Sequence, residues 1–308
     1  MRAGGGLDGP LRDLPQERRF AAASAGRDDG PKEGRVGPAQ PGHAPRAEAH
    51  AAASAASVAL SDKDAVRARV LAFGQAGVAA CPECANIASP IGMAQYLAMA
   101  TQIGGVLGRP GRRRVLDWGA GWAQTSLLLR AEGLDVVAYD IEDKGAATGL
   151  LAGTDVRYVV GAGPELPFPD EDFDAVLNSG VLEHVDDARL ALAELYRVLR
   201  RGGWLFTYHL PNRYAYTEWL GRRLGRFHHE RTYTRAEAEA LFRDAGFEVL
   251  GCRPYHWLPR NVWGRSAGLR AVAARAARAY EAVDEALIRV PGLRRLATAW
   301  ALCLRRPR

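Results

Sequence analysis

Val115-Leu-Asp-Trp-Gly-Ala-Gly-Trp-Ala-Gln-Thr-Ser126 is the stretch that decides the fold. A run of β-forming residues leads into a glycine turn, and a helical pattern follows it. Gly119 and Gly121 let the backbone turn tightly and approach a ligand with no Cβ in the way. The helix beyond supplies N–H groups at its N-terminus. A dinucleotide site uses the same physics, but its fingerprint asks for a third glycine where this chain has Gln124. Asp117 stands two residues before the first glycine, where a pyrophosphate site has an apolar residue. A buried carboxylate there repels phosphate and complements positive charge, so a sulfonium ion with an amino group fits better than a dinucleotide. Asp140 ends the next β-run, 19 residues after Gly121. A carboxylate at that point can accept both hydroxyls of a ribose.

Outward from this motif, β-rich runs alternate with longer helical ones. Strands are expected at 114–118, 135–139, 156–160, 173–178 and 204–209, with a sixth at 247–252 and a last at 297–304. Helices are expected at about 123–132, 187–200 and 235–245, preceded by two more, from Ser61 or Asp62 to Gly74 and from Met93 to Leu107. This alternation predicts an α/β fold with a mainly parallel sheet and helices on both faces. Between the last two strands, Leu269, Val272, Ala276, Tyr280, Val283, Leu287 and Val290 recur at spacings of three and four. They form one apolar stripe, expected to pack as a lid over the sheet's active edge, with a membrane-surface helix as the alternative.

The chain has 308 residues, 48% hydrophobic and 25% charged, which is the composition of an ordinary globular protein. No window approaches the roughly 18 apolar residues of a membrane-spanning helix. Arg18-Arg19 and the short alanine-rich run after it are too brief for an export signal. Residues 1–57 hold almost no large apolar side chains and are expected to form a disordered arm, with Val58 read as an alternative start. Residues 58–110 are expected to make a helical cap, 111–255 the ligand-binding core, and 256–308 a helical insert, the final strand and a basic tail. The charge is uneven: residues 58–252 carry 21 basic and 25 acidic groups, residues 253–308 carry 12 and 3. Such a tail attracts anions and leaves peripheral membrane contact open. The acidic body argues against nucleic acid as a partner. Four scattered cysteines suit a reducing, cytoplasmic compartment. Cys81-Pro-Glu-Cys84 is half a zinc site with no second pair at ribbon-like spacing, and no metal is expected.

Asp117-Trp-Gly-Ala-Gly resembles motif I of the class I S-adenosylmethionine-dependent methyltransferases. The resemblance continues through Glu165-Leu-Pro-Phe-Pro-Asp-Glu-Asp-Phe-Asp-Ala-Val, Leu182-Glu-His-Val, Ala193-Glu-Leu-Tyr-Arg-Val-Leu-Arg-Arg-Gly-Gly and the segment from Thr234 to Phe247. In order and kind these signals are similar to the type 11-like small-molecule group that includes enzymes of ubiquinone and biotin synthesis. They cover roughly residues 110–255. The resemblance implies a Rossmann-like sheet of seven strands with the last antiparallel, and S-adenosylmethionine as cofactor. It implies that the backbone around Gly119, Ala120 and Gly121 holds the methionine part and that Asp117 lies near its amino group. Asp140 would bind the ribose hydroxyls, Ile141 would lie against the adenine, and Asn178 or Ser179 would offer a backbone contact. Ala162 stands where the family often has an acid against the adenine amino group. Either its backbone makes that contact or cofactor binding is weaker.

Methyl transfer needs alignment of nucleophile and methyl carbon, exclusion of water and sometimes removal of a proton, so no universal catalytic residue is implied. Histidines beyond the strand ends are the natural proton carriers near neutral pH. They are His184, His209, and His228-His229 with Tyr233; the last group resembles a segment near the family's substrate mouth. The expected acceptor is a small molecule, with an anionic or lipid-linked one suggested by the basic tail. The rivals are a nicotinamide-dependent oxidoreductase and a methyltransferase-like module that has lost catalysis.

Overall fold

The computed structural model describes residues 62–108, 113–147, 149–161, 165–225 and 228–308. The expected arm at 1–57 and Ala162 lie outside the described residues. Seven strands form one sheet: β1 (Arg114–Trp118), β2 (Asp135–Asp140), β3 (Arg157–Val160), β4 (Phe173–Ser179), β5 (Leu199–Pro211), β6 (Glu248–Tyr255) and β7 (Ala299–Arg305), in the order β3-β2-β1-β4-β5-β7-β6. β1, β2, β3, β4 and β5 pair in parallel, and β7 is antiparallel to both β5 and β6. Four of the five β1 residues are buried, as in a strand covered by helices on both faces. The strand order reverses between β1 and β4, and the crevice at their carboxyl ends is where open α/β sheets take ligands.

The helices are α1 (Lys63–Gly77), α2 (Pro90–Leu107), α3 (Gln124–Ala131), the short α4 (Lys144–Ala147), α5 (Ala188–Val198), α6 (Tyr216–Arg223), α7 (Arg235–Asp244) and α8 (Ala267–Arg289). Asp62 caps α1, its side chain accepting from the backbone N–H groups of Asp64 and Ala65. Val66 and Val70 of α1 and Met93, Met99 and Ile103 of α2 share one core cluster with Leu127 and Leu128 of α3. The expected α-helix 187–200 ends at Val198, because Leu199 already pairs with Phe173 as the start of β5. α6 was not foreseen.

The insert packs on a face rotated from the one its sequence suggests, with Ala276, Tyr280 and Leu287 of the stripe half-buried. Leu269, Val272, Val283 and Val290, four of the seven stripe residues, are exposed, and the buried α8 positions are Ala273 and Asp284. The cause is Arg260, which is 6% exposed and reaches from the loop after β6 to bond Glu281 and Asp284 on α8 and the Ile91 carbonyl of α2. Asp284 also accepts from the N–H groups of Trp257 and Leu258. A buried ion pair with this many partners fixes the helix rotation against the weaker pull of the apolar stripe.

Candidate active site

The glycine turn sits where β1 ends in the crevice. Gly119 has φ +74° and Gly121 φ +56°, backbone conformations that glycine alone adopts freely. The Tyr139 carbonyl accepts from the N–H groups of Gly119 (2.8 Å) and Ala120 (2.9 Å), which fastens the turn to the end of β2. The Asp140 carboxylate accepts from the Gly121 N–H (2.7 Å) and, through its other oxygen, from the Ile141 N–H (2.7 Å). The sequence-based expectation made Asp140 a ligand-binding acid; in the fold it is also the brace of the loop. Tyr158 of β3 completes the brace, its hydroxyl 2.7 Å from the Gly121 carbonyl and 3.0 Å from that of Glu142.

Asp117 is 3% exposed and accepts from the Ser126 hydroxyl at 2.6 Å. Burial pushes its carboxyl up to about 6 against the pull of that bond, and the Asp140 charge adds to the rise. Two further acceptors near the loop, Gln124 Oε1 and Asn178 Oδ1, are buried without a donor. Asn178 lies beside Trp118 in the register of β1 and β4. The loop is therefore rich in acceptors, and no lysine or arginine among the described residues forms a salt bridge with Asp117 or Asp140, which suits a donor or cationic ligand and not a phosphate. A Cβ on Gly121 would meet nothing within 4 Å, so the turn leaves open space beside it. The neighbouring aromatics belong to the protein's own packing, with Trp118 7% exposed and Trp122 edge-on to Phe73 at 6.1 Å.

A second cluster of titratable side chains assembles from three segments. The loop after β4 carries Glu183 and His184; α6 carries Glu218; the stretch before α7 carries His228, His229 and Tyr233. The His184 and His229 rings lie with centroids 5.9 Å apart and their planes tilted by 42°. His229 is held by Glu218, whose carboxylate takes its N–H (2.8 Å) and lies 2.7 Å from its Nδ1. Arg231 binds the Val185 and Asp186 carbonyls, tying the His229 segment to the Glu183 loop. Burial pushes Glu183 up to about 7 and lowers His184, the latter helped by the His229 charge. Tyr233 is half-buried; burial raises its phenol against the opposing Arg231 charge, and the Glu183 charge adds to the rise. His228 is exposed.

His209 and Ser179 belong to a separate array. The Ser179 hydroxyl is 3.0 Å from His209 Nδ1, and Gln95 of α2 is 3.0 Å from His209 Nε2. Burial pushes His209 down to about 3, with the His256 and Arg260 charges adding to it. A neutral ring with both nitrogens held fastens α2 over the sheet and makes a poor proton carrier. Sequence reasoning missed Glu183, Glu218, Tyr158 and Arg260. The Leu182-Glu-His-Val motif was the available signal for Glu183, and no local pattern marks the other three.

Over residues 116–207 the chain matches the family model described as a methyltransferase domain. The chain is 39% identical over 121 residues to a demethylmenaquinone methyltransferase of Renibacterium salmoninarum, covering 37% of this chain and 51% of that protein. It is 42% identical over 97 residues to the demethylmenaquinone methyltransferase of Beutenbergia cavernae, covering 32% and 40%. The chain thus spans about half or less of the length of these relatives. Among solved structures, it is similar to the 1,6-didemethyltoxoflavin-N1-methyltransferase of Burkholderia thailandensis with bound 1,6-didemethyltoxoflavin and S-adenosylhomocysteine. That likeness has a TM-score of 0.45 and 21% identity, covering 69% of this chain and 79% of the other.

Proposed function

We propose that the protein transfers the methyl group of S-adenosylmethionine to a small-molecule acceptor. The observation that carries this reading is the acceptor-rich loop, with the Asp117 and Asp140 carboxylates in each other's field and the Gln124 and Asn178 amide oxygens lacking donors. Asp117 and the backbone of Gly119, Ala120 and Gly121 would take the cationic methionine end, Asp140 the ribose hydroxyls, and Ile141 one face of the adenine. Asn178 or Ser179 would offer a backbone contact, and Ala162 is the remaining position assigned to the adenine. When bound, the cofactor supplies a methyl carbon already activated on sulfur. The chain aligns the acceptor, excludes water and receives a proton where the acceptor carries one. His184, His229 and Tyr233 stand on that side, with His228 at its exposed rim. The test is transfer of label from methyl-tritiated S-adenosylmethionine to a panel of phenol, amine and carbon acids. Incorporation into at least one class, lost in Asp117→Ala, supports the reading; binding of the cofactor with no transfer to any class favours a non-catalytic module.

A lipid-linked acceptor is the finer reading, and one surface favours it. Tyr214 and Trp219 are exposed beside Arg213, Arg222 and Arg223 around a groove of about 820 Å³, and Leu220 and Leu224 are exposed on the same helical segment. Aromatic and aliphatic side chains ringed by arginine suit an anionic membrane surface. The basic tail contributes less than its charge suggests, because Arg305 and Arg306 bond backbone carbonyls of Gly202, Tyr196 and Leu199. No helix among the described residues is long and apolar enough to cross a membrane. A cytoplasmic location goes with this reading, supported by four free cysteines.

A further inference from the structure

We infer that Glu183, His184 and His229 form a binding site for one divalent transition-metal ion at the acceptor edge of the sheet. One donor atom from each residue lies within 4.8 Å of the others, and Glu183 Oε1 is 3.8 Å from His184 Nε2. Two imidazoles and one carboxylate are the donor set of open catalytic sites for zinc, iron(II), cobalt or manganese, in which three protein ligands leave positions for a small molecule.

Two observations beyond proximity point to an ion. The Glu183 side chain is 3% exposed and faces His184, and no arginine or lysine among the described residues forms a salt bridge with it. A carboxylate this deeply buried with no compensating cation is costly unless it is neutralised or coordinates a metal. The second is Glu218. Its carboxylate accepts the Nδ1–H of His229, which puts the lone pair of that ring on Nε2 and fixes its orientation. A carboxylate behind a histidine in this way is the usual support of a metal ligand. The Arg231 bonds to Val185 and Asp186 hold the two ligand-bearing segments together without the ion. The role of the ion, holding an acceptor oxygen beside the crevice, rests on the methyl-transfer reading; its binding does not.

The experiment is a titration of the chelator-stripped full-length chain with Co²⁺, read by visible absorption and by calorimetry, with neither cofactor nor acceptor present. One ion per chain with an absorption band of nitrogen and oxygen ligands is expected. His184→Ala should weaken binding at least tenfold with the thermal unfolding midpoint unchanged, since its side chain is 36% exposed. Glu218→Gln should weaken it by about 10–100-fold with all three ligands intact, while Cys81→Ser/Cys84→Ser should bind as the parent does. Absence of binding at millimolar Co²⁺ overturns the site. So does a thiolate-to-metal band that disappears with the cysteines and survives His184→Ala.

Discussion

Gly119 and Gly121 both have positive φ, yet a methyl group at them meets different surroundings. At Gly119 the new Cβ would lie 2.2 Å from Val181 Cγ2, whereas at Gly121 it enters open space. Gly119→Ala should therefore cost more than the roughly 1–2 kcal/mol of left-handed strain alone, lowering the denaturation midpoint and abolishing cofactor binding. Gly121→Ala should cost close to the strain and mainly cut affinity; thermal unfolding beside calorimetry separates the two. Asp117 gives a pH prediction. Its folded carboxyl, at about 6, is above the ordinary 3.8, so the free protein loses stability as pH rises from about 4 to 6. Above that window the penalty is about 3 kcal/mol. A cationic ligand binds the ionised form, so S-adenosylmethionine affinity should rise with pH through 6. In Asp117→Asn that dependence should vanish, affinity should fall, and the free protein should be more stable at pH 7. These residues were legible because a glycine turn with an acid before it is a local pattern. His184 and His229 were named singly from the sequence; that they meet beside Glu183 was not legible, because the 183–184 loop and the His229 segment are far apart in the chain and are joined by Glu218 and Arg231.

At the scale of elements, strands read well and helix faces less so. β1 matched its expected bounds because four consecutive buried positions, Val115 to Trp118, mark a strand covered on both faces. α8 was found where the periodicity put it, but rotated so that only part of the stripe is covered, since periodicity records apolar residues and is silent on Arg260 and Asp284. Arg260→Ala leaves Asp284 buried without its cation and should destabilise the chain by about 3–5 kcal/mol; a loss under 1 kcal/mol in urea unfolding would contradict the assigned role. Burial opposes ionisation of Asp284, yet bonds from His256 and the backbone of Leu258 and Trp257 hold it at about 2. Its contribution is complete above about pH 4 and is lost as pH falls through 2. A structure-guided helix such as α6, short and only partly buried, has too weak a pattern to foresee, and with it went Glu218.

For the whole molecule, the order β3-β2-β1-β4-β5-β7-β6 puts the glycine turn and the Glu183 loop at neighbouring strand ends, β1 and β4, so one crevice serves both halves of the proposed reaction. Alternating elements and the family resemblance made this sheet legible; the way cap, insert and sheet lock through Arg260 and His209 depends on long-range polar contacts that no window of sequence contains. If the exposed Trp219 face meets membranes, the chain should sediment with anionic vesicles at low salt. Arg222→Ser/Arg223→Ser should then weaken binding by about 1 kcal/mol per arginine, and equal binding to neutral vesicles would count against the lipid-linked reading. The most direct test of the account is calorimetric titration with S-adenosylmethionine, S-adenosylhomocysteine and NADH in parallel. Saturable one-to-one binding of the first two and none of NADH is the expected result. Binding of NADH, or of none of the three, would contradict it.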